Sequence, residues 1–177
     1  MRFFAVVGCV CLFRGSYREL RWTWSWQAVA AGLVVFVLWL GLEPTAARAQ
    51  SAVLPSALSE LPTGLASTWL VFRVLGSVIT VPVAEELAFR GYLSRRVSSS
   101  RFLSLPLRNV SWIGLIVSSL VFGAMHNRIV AGTIAGLVFG LVARRRGELS
   151  DAILAHATTN ALLAAYVLTT GSWTLWS

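Results

Sequence analysis

Apolar residues in this chain come in long, nearly unbroken runs rather than in the stripes of a half-buried soluble element. Trp22–Leu42 carries no charge, and neither do Asn109–Asn127, Ile129–Ala143 or residues 152–177. Leu61–Ala84 is a further run, interrupted by Arg73. A transmembrane helix needs about 20 apolar residues, within a range of about 17–25. Two of the runs meet that length alone, whereas Ile129–Ala143 has to draw on its flanks. The stretch 3–13 is apolar but short, either a marginal helix or the stub of a longer one. The pattern therefore predicts an all-α, polytopic transmembrane bundle of about six helices. These cover 3–13, about 24–42, about 64 into the nineties, 109–126, 129–143 and 151–170. Between the second and third, Pro44, Pro55 and Pro62 mark an irregular outer loop. Residues 1–63 read as an N-terminal membrane-anchor region and residues 64–177 as the core. Trp22, Trp24 and Trp26 suit an interfacial belt. Gly132, Gly136 and Gly140 recur every four residues, which gives the fifth helix one face for close packing.

Composition sharpens this picture. Hydrophobic residues make up 56% of the 177 and charged residues 12%, and the mean hydropathy is +0.73. A water-soluble globule, with about 25% charged residues, is a poor fit. The net charge of +8 raises nucleic-acid binding as a class. Its distribution argues against that class. All fifteen cations are arginines, and ten fall at Arg14, Arg18 and Arg21, at Arg95, Arg96, Arg101 and Arg108, and at Arg144–Arg146. Each group is separated from the next by two spans, so all three lie on one side of a bilayer, as the positive-inside rule requires. The charge reports topology, and no nucleic-acid partner is expected. Cys9 and Cys11 have no further cysteine to pair with and read as packing residues. Ala47-Arg48-Ala49 resembles a small-residue cleavage site, but the run from Trp22 is long and begins well inside the chain, so a retained helix is expected.

Ionisable groups inside apolar runs are costly, at about 2.5–3.5 kcal/mol each on insertion scales, and tend to persist where they pair and act. Of the seven carboxylates here, Glu85 and Glu86 sit together in the third run, in VPVAEELAFRGYL. The two histidines lie in VFGAMHN and ILAHATTNALL. At about 100° per residue, Glu86 and Arg90 face the same way and can pair, while Glu85 points about 140° away from Arg90. That division makes Glu86–Arg90 a scaffold and leaves Glu85 as the reactive carboxylate. His156 and Asn160 share a face, and Phe122 lies one turn below His126. Taken singly, each feature has an ordinary structural explanation: an ion pair on a helix, or a hydrogen-bonded packing cluster. Together they suit peptide-bond hydrolysis. A carboxylate and an imidazole can activate a water, and a second imidazole and an amide can donate to an oxyanion. Neither a serine nucleophile elbow nor an H-E-x-x-H zinc motif is present.

These segments resemble the three motifs of the CAAX protease and bacteriocin-processing family of membrane peptidases. EELAFR (Glu85–Arg90) matches the first motif, FGAMH (Phe122–His126) the second and HATTN (His156–Asn160) the third. The resemblance spans about residues 64–170. It implies an intramembrane endopeptidase acting on a membrane-associated protein or peptide, with a catalytic set of Glu85, Glu86, Arg90, His126, His156 and Asn160. In that set Glu85 and His126 activate water, and His156 and Asn160 bind the oxyanion. FRVLGSVITVPVAEELAFRGYL and the ending HATTNALLAAYVLTTGSWTLW resemble a narrower branch that accompanies exosortases, which implies an exosortase partner and a bacterial inner membrane. The family allows a metal-bound or a metal-free mechanism. A metal-free one is favoured because Arg90 opposes a dication beside Glu86. Zinc, held by Glu85, His126 and His156, is the alternative.

Two other classes compete: a non-catalytic peptide-binding or immunity protein, and a small proton-coupled transporter. The motifs are complete, which argues against a decayed site. A transporter is expected to show internal repeats, and none is found. One geometric demand remains. Counted along its helix, His126 falls near the outer end, whereas His156 falls nearer the inner face. They meet only if the fourth helix is tilted or begins later than Asn109.

Overall fold

Ser25 opens the first described helix, α1 (Trp26–Gly41), in extended conformation, its hydroxyl accepting from the Ala28 amide at 3.2 Å. The computed structural model describes residues 21–42 and 53–176. The expected helix over 3–13, with Cys9 and Cys11, lies outside them. After α1 comes α2 (Val53–Ser59), a short helix where the prolines pointed to irregular chain. Pro55 stands in its first turn, where a missing N–H breaks no helical bond.

A single 36-residue helix, α3 (Thr63–Ser98), follows. It widens into π-helical turns at Gly76–Thr80 and Leu87–Leu93. The first widening precedes Pro82, whose missing N–H takes one bond out of the helical ladder. Such π turns are frequent at functional sites, and these two flank Glu85 and Glu86. Then come α4 (Trp112–Ala124), α5 (Ile129–Arg146) and α6 (Leu149–Thr170). Two 3-10 turns, Phe102–Ser104 and Leu107–Asn109, separate α3 from α4, so α4 starts later than Asn109. Its 13 residues span only about 20 Å at ~1.5 Å per residue, which is short of a ~30 Å hydrocarbon core. α5 takes in the arginine triplet and closes on Gly147 at φ 76°, a left-handed position that favours glycine.

The fold is an all-α bundle. Helices α1, α4, α5 and α6 pack around Val35, Phe122, Ala135, Phe139, Ala152 and Ala155. Glycines set the close approaches. A Cβ on Gly32 would stand 2.5 Å from the Ala155 carbonyl oxygen, and Thr159 Oγ1 donates to the Gly32 carbonyl at 2.9 Å. All three glycines of the α5 stripe are buried, as their spacing predicts.

Two described helices, α3 and α6, are long and apolar enough to cross a membrane. In the most apolar window of α3, mean hydropathy is 1.6, yet only 6% is buried by the rest of the protein. Leu65, Val71, Phe72 and Ile79 face outward there. A soluble protein rarely leaves so continuous an apolar surface open to water; lipid covers it at no such cost.

The arginine groups meet at one end of the bundle. Arg108 donates twice to the Arg146 carbonyl, at 2.8 and 3.0 Å, and Arg144 Nε donates to the Val110 carbonyl at 3.0 Å. Arg146 pairs with buried Asp151 at 3.2 Å, while Arg21 approaches Glu148 at 3.9 Å. Arg14 and Arg18 lie outside the described residues.

Candidate active site

Glu86 is the hub of the site. Its carboxylate is fully buried, and Oε1 accepts from Arg90 Nη1 at 3.1 Å and lies 2.9 Å from His156 Nδ1. The first contact is the four-residue pair read from α3; the second joins residues 70 positions apart. Arg90 Nη2 continues across to α5 and donates to the Gly136 carbonyl at 2.6 Å. A Cβ at Gly136 would stand 3.0 Å from that nitrogen, so the glycine serves both packing and the approach of the guanidinium. The guanidinium carbon also lies 4.6 Å from the Phe122 ring centroid, 5.8 Å from that of Phe89 and 5.9 Å from that of Phe139. A buried charge is tolerable only when paired and hydrogen-bonded, and this one has an ion pair, a carbonyl and three aromatic faces.

His156 is clamped between Glu86 and Phe139, whose ring stacks on the imidazole at 4.8 Å and 15°. With the carboxylate on Nδ1, Nε2 remains as the ring's working nitrogen. His126 lies just beyond the end of α4, yet its ring packs 4.5 Å from Phe122, the wall that the spacing predicts. His126 Nδ1 lies 2.7 Å from the Phe122 carbonyl oxygen. A carbonyl can only accept, so Nδ1 carries the proton, and Nε2 of the neutral ring is left as an acceptor.

Asn160 sits one turn beyond His156. Its Nδ2 donates to the Ser77 carbonyl at 2.8 Å, within the first π turn of α3. The amide carries two N–H groups, so this contact fixes its orientation while using one.

His126, His156 and Asn160 line one open cavity of about 200 Å³. The two histidines therefore converge. The start of α4 at Trp112, later than Asn109, shortens the offset between them. The cavity walls are mostly apolar, with Val35 and Trp39 from α1, Val81 from α3, Phe139 from α5 and Leu163 from α6. Helix α1, read as part of an anchor region, thus lends two residues to the cavity.

Glu85 is placed differently. It is half-buried and not among the residues lining the cavity, and its Oε2 is buried without a hydrogen-bond partner, as is Oε2 of Glu86. Buried polar atoms are rarely left so, and the exceptions call for a reason. Among the described residues, no three His, Cys, Asp or Glu side chains gather as a metal ion would need. Glu85, His126 and His156 do not form a ligand set here. Glu85 stands off the cavity that the two histidines line, while His156, with Nδ1 on the Glu86 carboxylate, keeps Nε2 open.

Sequence reasoning missed several participants. The carbonyls of Ser77 and Gly136 act through main chain, which no residue type advertises. Phe139 was passed over as an ordinary apolar residue, although it follows Gly136 by three positions and so lies close to its face. Arg73, which the sequence shows only as a break in an apolar run, and Arg128 also line the cavity.

No curated protein and no solved structure matches the chain. A family model described as type II CAAX prenyl endopeptidase Rce1-like does match, over residues 66–162, a stretch holding Glu85, Glu86, Arg90, His126, His156 and Asn160. With more than half of its length matched, the chain belongs to the Rce1-like family of type II CAAX prenyl endopeptidases.

Proposed function

We propose that this protein is an intramembrane endopeptidase that hydrolyses a peptide bond of a membrane-associated protein or peptide without a metal ion. The observation that carries the reading is the convergence of His126, His156 and Asn160 on one cavity, with the Glu86–Arg90 pair behind His156. The family is one of membrane proteases, which supports the reaction class.

In this reading His126 Nε2 takes a proton from the attacking water, since Nδ1 is held by the Phe122 carbonyl. Glu85 lies outside the cavity lining, so it shares in that activation only indirectly, and the support for its part is its buried, partnerless Oε2. His156, as a doubly protonated ring with its Nδ1–H on the Glu86 carboxylate, donates to the oxyanion from Nε2, and Asn160 does so through its second N–H. One such donor contributes about 2.7–4 kcal/mol in characterised enzymes. Glu86 and Arg90 hold His156 in place. A second assignment, with Glu86 as the working carboxylate, is favoured by its direct contact with His156. The bilayer, a membrane-bound substrate and an exosortase are the proposed partners, and a bacterial inner membrane is the proposed location.

The test is purified protein in lipid nanodiscs, incubated with candidate membrane peptides and read by mass spectrometry. Cleavage by the unaltered protein, abolished in Glu85→Gln, supports the reading. Binding without cleavage across a broad peptide panel points instead to the non-catalytic class.

A further inference from the structure

The exposed rim of the cavity is occupied by the chain itself. A 3-10 turn, Trp173–Trp176, follows α6, and Leu175 and Trp176 line the cavity beside Asn127 and Arg128. Arg73 Nη2 donates to the Trp176 carbonyl at 2.5 Å, and its guanidinium carbon stands 5.7 Å from the Trp176 ring centroid. Arg128 Nη2 reaches the Thr174 carbonyl at 3.5 Å. Two guanidiniums, one from α3 and one from the turn between α4 and α5, thus grip carbonyls two residues apart on a peptide. His126, His156 and Asn160 line the same cavity as that peptide.

We infer that Arg73 and Arg128 form a main-chain clamp for the substrate, held here by the chain's own Thr174–Trp176 as a stand-in. A carbonyl is the same in every residue, so the clamp tolerates many sequences, and guanidinium donors make the stronger, charge-assisted class of bond. The apolar cavity walls select hydrophobic side chains such as Leu175 and Trp176. The segment that carries Arg73, Thr63–Leu75, has no buried residue. The substrate class is a hydrophobic peptide that displaces the turn before it can reach the histidines. The peptidase reading supplies the clamp's working occupant; the clamp itself does not depend on it.

The probe is a fluorescent, amidated pentapeptide with the sequence of Ser172–Trp176, titrated against protein in nanodiscs and followed by anisotropy, with empty nanodiscs as the blank. Leu175→Gly/Trp176→Gly vacates the cavity and is expected to bind the probe about tenfold or more tighter than the unaltered chain. Adding Arg73→Gln and Arg128→Gln should reverse that gain by about tenfold, as expected for losing hydrogen bonds to charged groups. Equal binding by all three proteins overturns the clamp. A second measurement guards against misfolding: Ser77→Cys, half-buried in the cavity wall, is placed in a Cys9→Ala/Cys11→Ala background. Its reaction with a water-soluble maleimide should accelerate several-fold when Leu175 and Trp176 become glycine, and an unchanged rate would make the turn a fixed wall. Arginine-dependent binding with no cleavage of any peptide keeps the clamp and sinks the peptidase reading; cleavage with arginine-independent binding does the opposite.

Discussion

At the residue scale the two adjacent carboxylates have separable fates. Glu86 is bound to Arg90 and His156, whereas Glu85 Oε2 is buried with no partner. Glu85→Gln is expected to lower kcat by about 10²–10⁴, the range for a lost acid–base contribution, while the protein still inserts and accumulates. Arg90→Ala leaves Glu86 as an uncompensated buried charge, a change that costs about 3–5 kcal/mol in comparable pairs, so thermal stability in detergent should fall along with activity. Full activity in Glu85→Gln with a dead but stably folded Glu86→Gln would reverse the assignment. The metal-free reading carries its own check. Elemental analysis of active protein should find no stoichiometric zinc, and activity should survive exhaustive chelation. Zinc that abolishes activity on leaving and restores it on returning would recast both histidines as ligands. Five of the six candidate residues, Glu86, Arg90, His126, His156 and Asn160, gather at or behind one cavity. They stood out in the sequence as polar groups in or beside apolar runs; Glu85 stood out in the same way but lies off the cavity. Their partners were not legible, since the Phe122, Ser77 and Gly136 carbonyls carry no residue signature and the contact between Glu86 and His156 bridges two distant helices.

At the element scale, helix boundaries followed from the uncharged runs to within a few residues, because caps and glycines sit at their ends: Ser25 before α1, Ser111 before α4, Gly147 after α5 and Gly171 after α6. The π turns of α3 were not legible. They depend on how Pro82 is accommodated and on the aiming of the Ser77 carbonyl at Asn160, neither of which is periodic. The same scale explains why α1 belongs with the site. Gly32 lets it lie against α6 closely enough for Thr159 to reach its backbone, and this brings Val35 and Trp39 to the cavity. Gly32→Ala forces a Cβ to within 2.5 Å of a backbone oxygen and 2.7 Å of Thr158 Cβ. Overpacking of this kind costs about 1–3 kcal/mol, so melting temperature and activity should fall together. Gly41→Ala, where nothing lies within 4 Å, serves as the neutral control on the same helix.

At the scale of the whole molecule, the bundle has two chemically distinct ends. One gathers Arg21, Arg108, Arg144 and Arg146 with the end of α3, and the positive-inside rule predicts a cytoplasmic side for it. The other end holds the Trp173–Trp176 turn and the cavity rim with Arg73 and Arg128. α3 runs between the two, from Thr63 to Ser98, and its ~54 Å length at ~1.5 Å per residue exceeds a ~30 Å hydrocarbon core. If α3 spans the core, as its length and apolarity allow, residues beyond its two ends lie on opposite faces of the membrane. A substrate would then reach the histidines from the outer half of the bilayer, which suits peptides already carried across it. Single cysteines at Ser56 and Ser100, both exposed, test this in intact cells in a Cys9→Ala/Cys11→Ala background. A membrane-impermeant maleimide should label Ser56→Cys within minutes and reach Ser100→Cys only after the membrane is opened. Labelling of Ser100→Cys in sealed cells, with Ser56→Cys protected, would invert the molecule and place the cavity mouth on the cytoplasmic side.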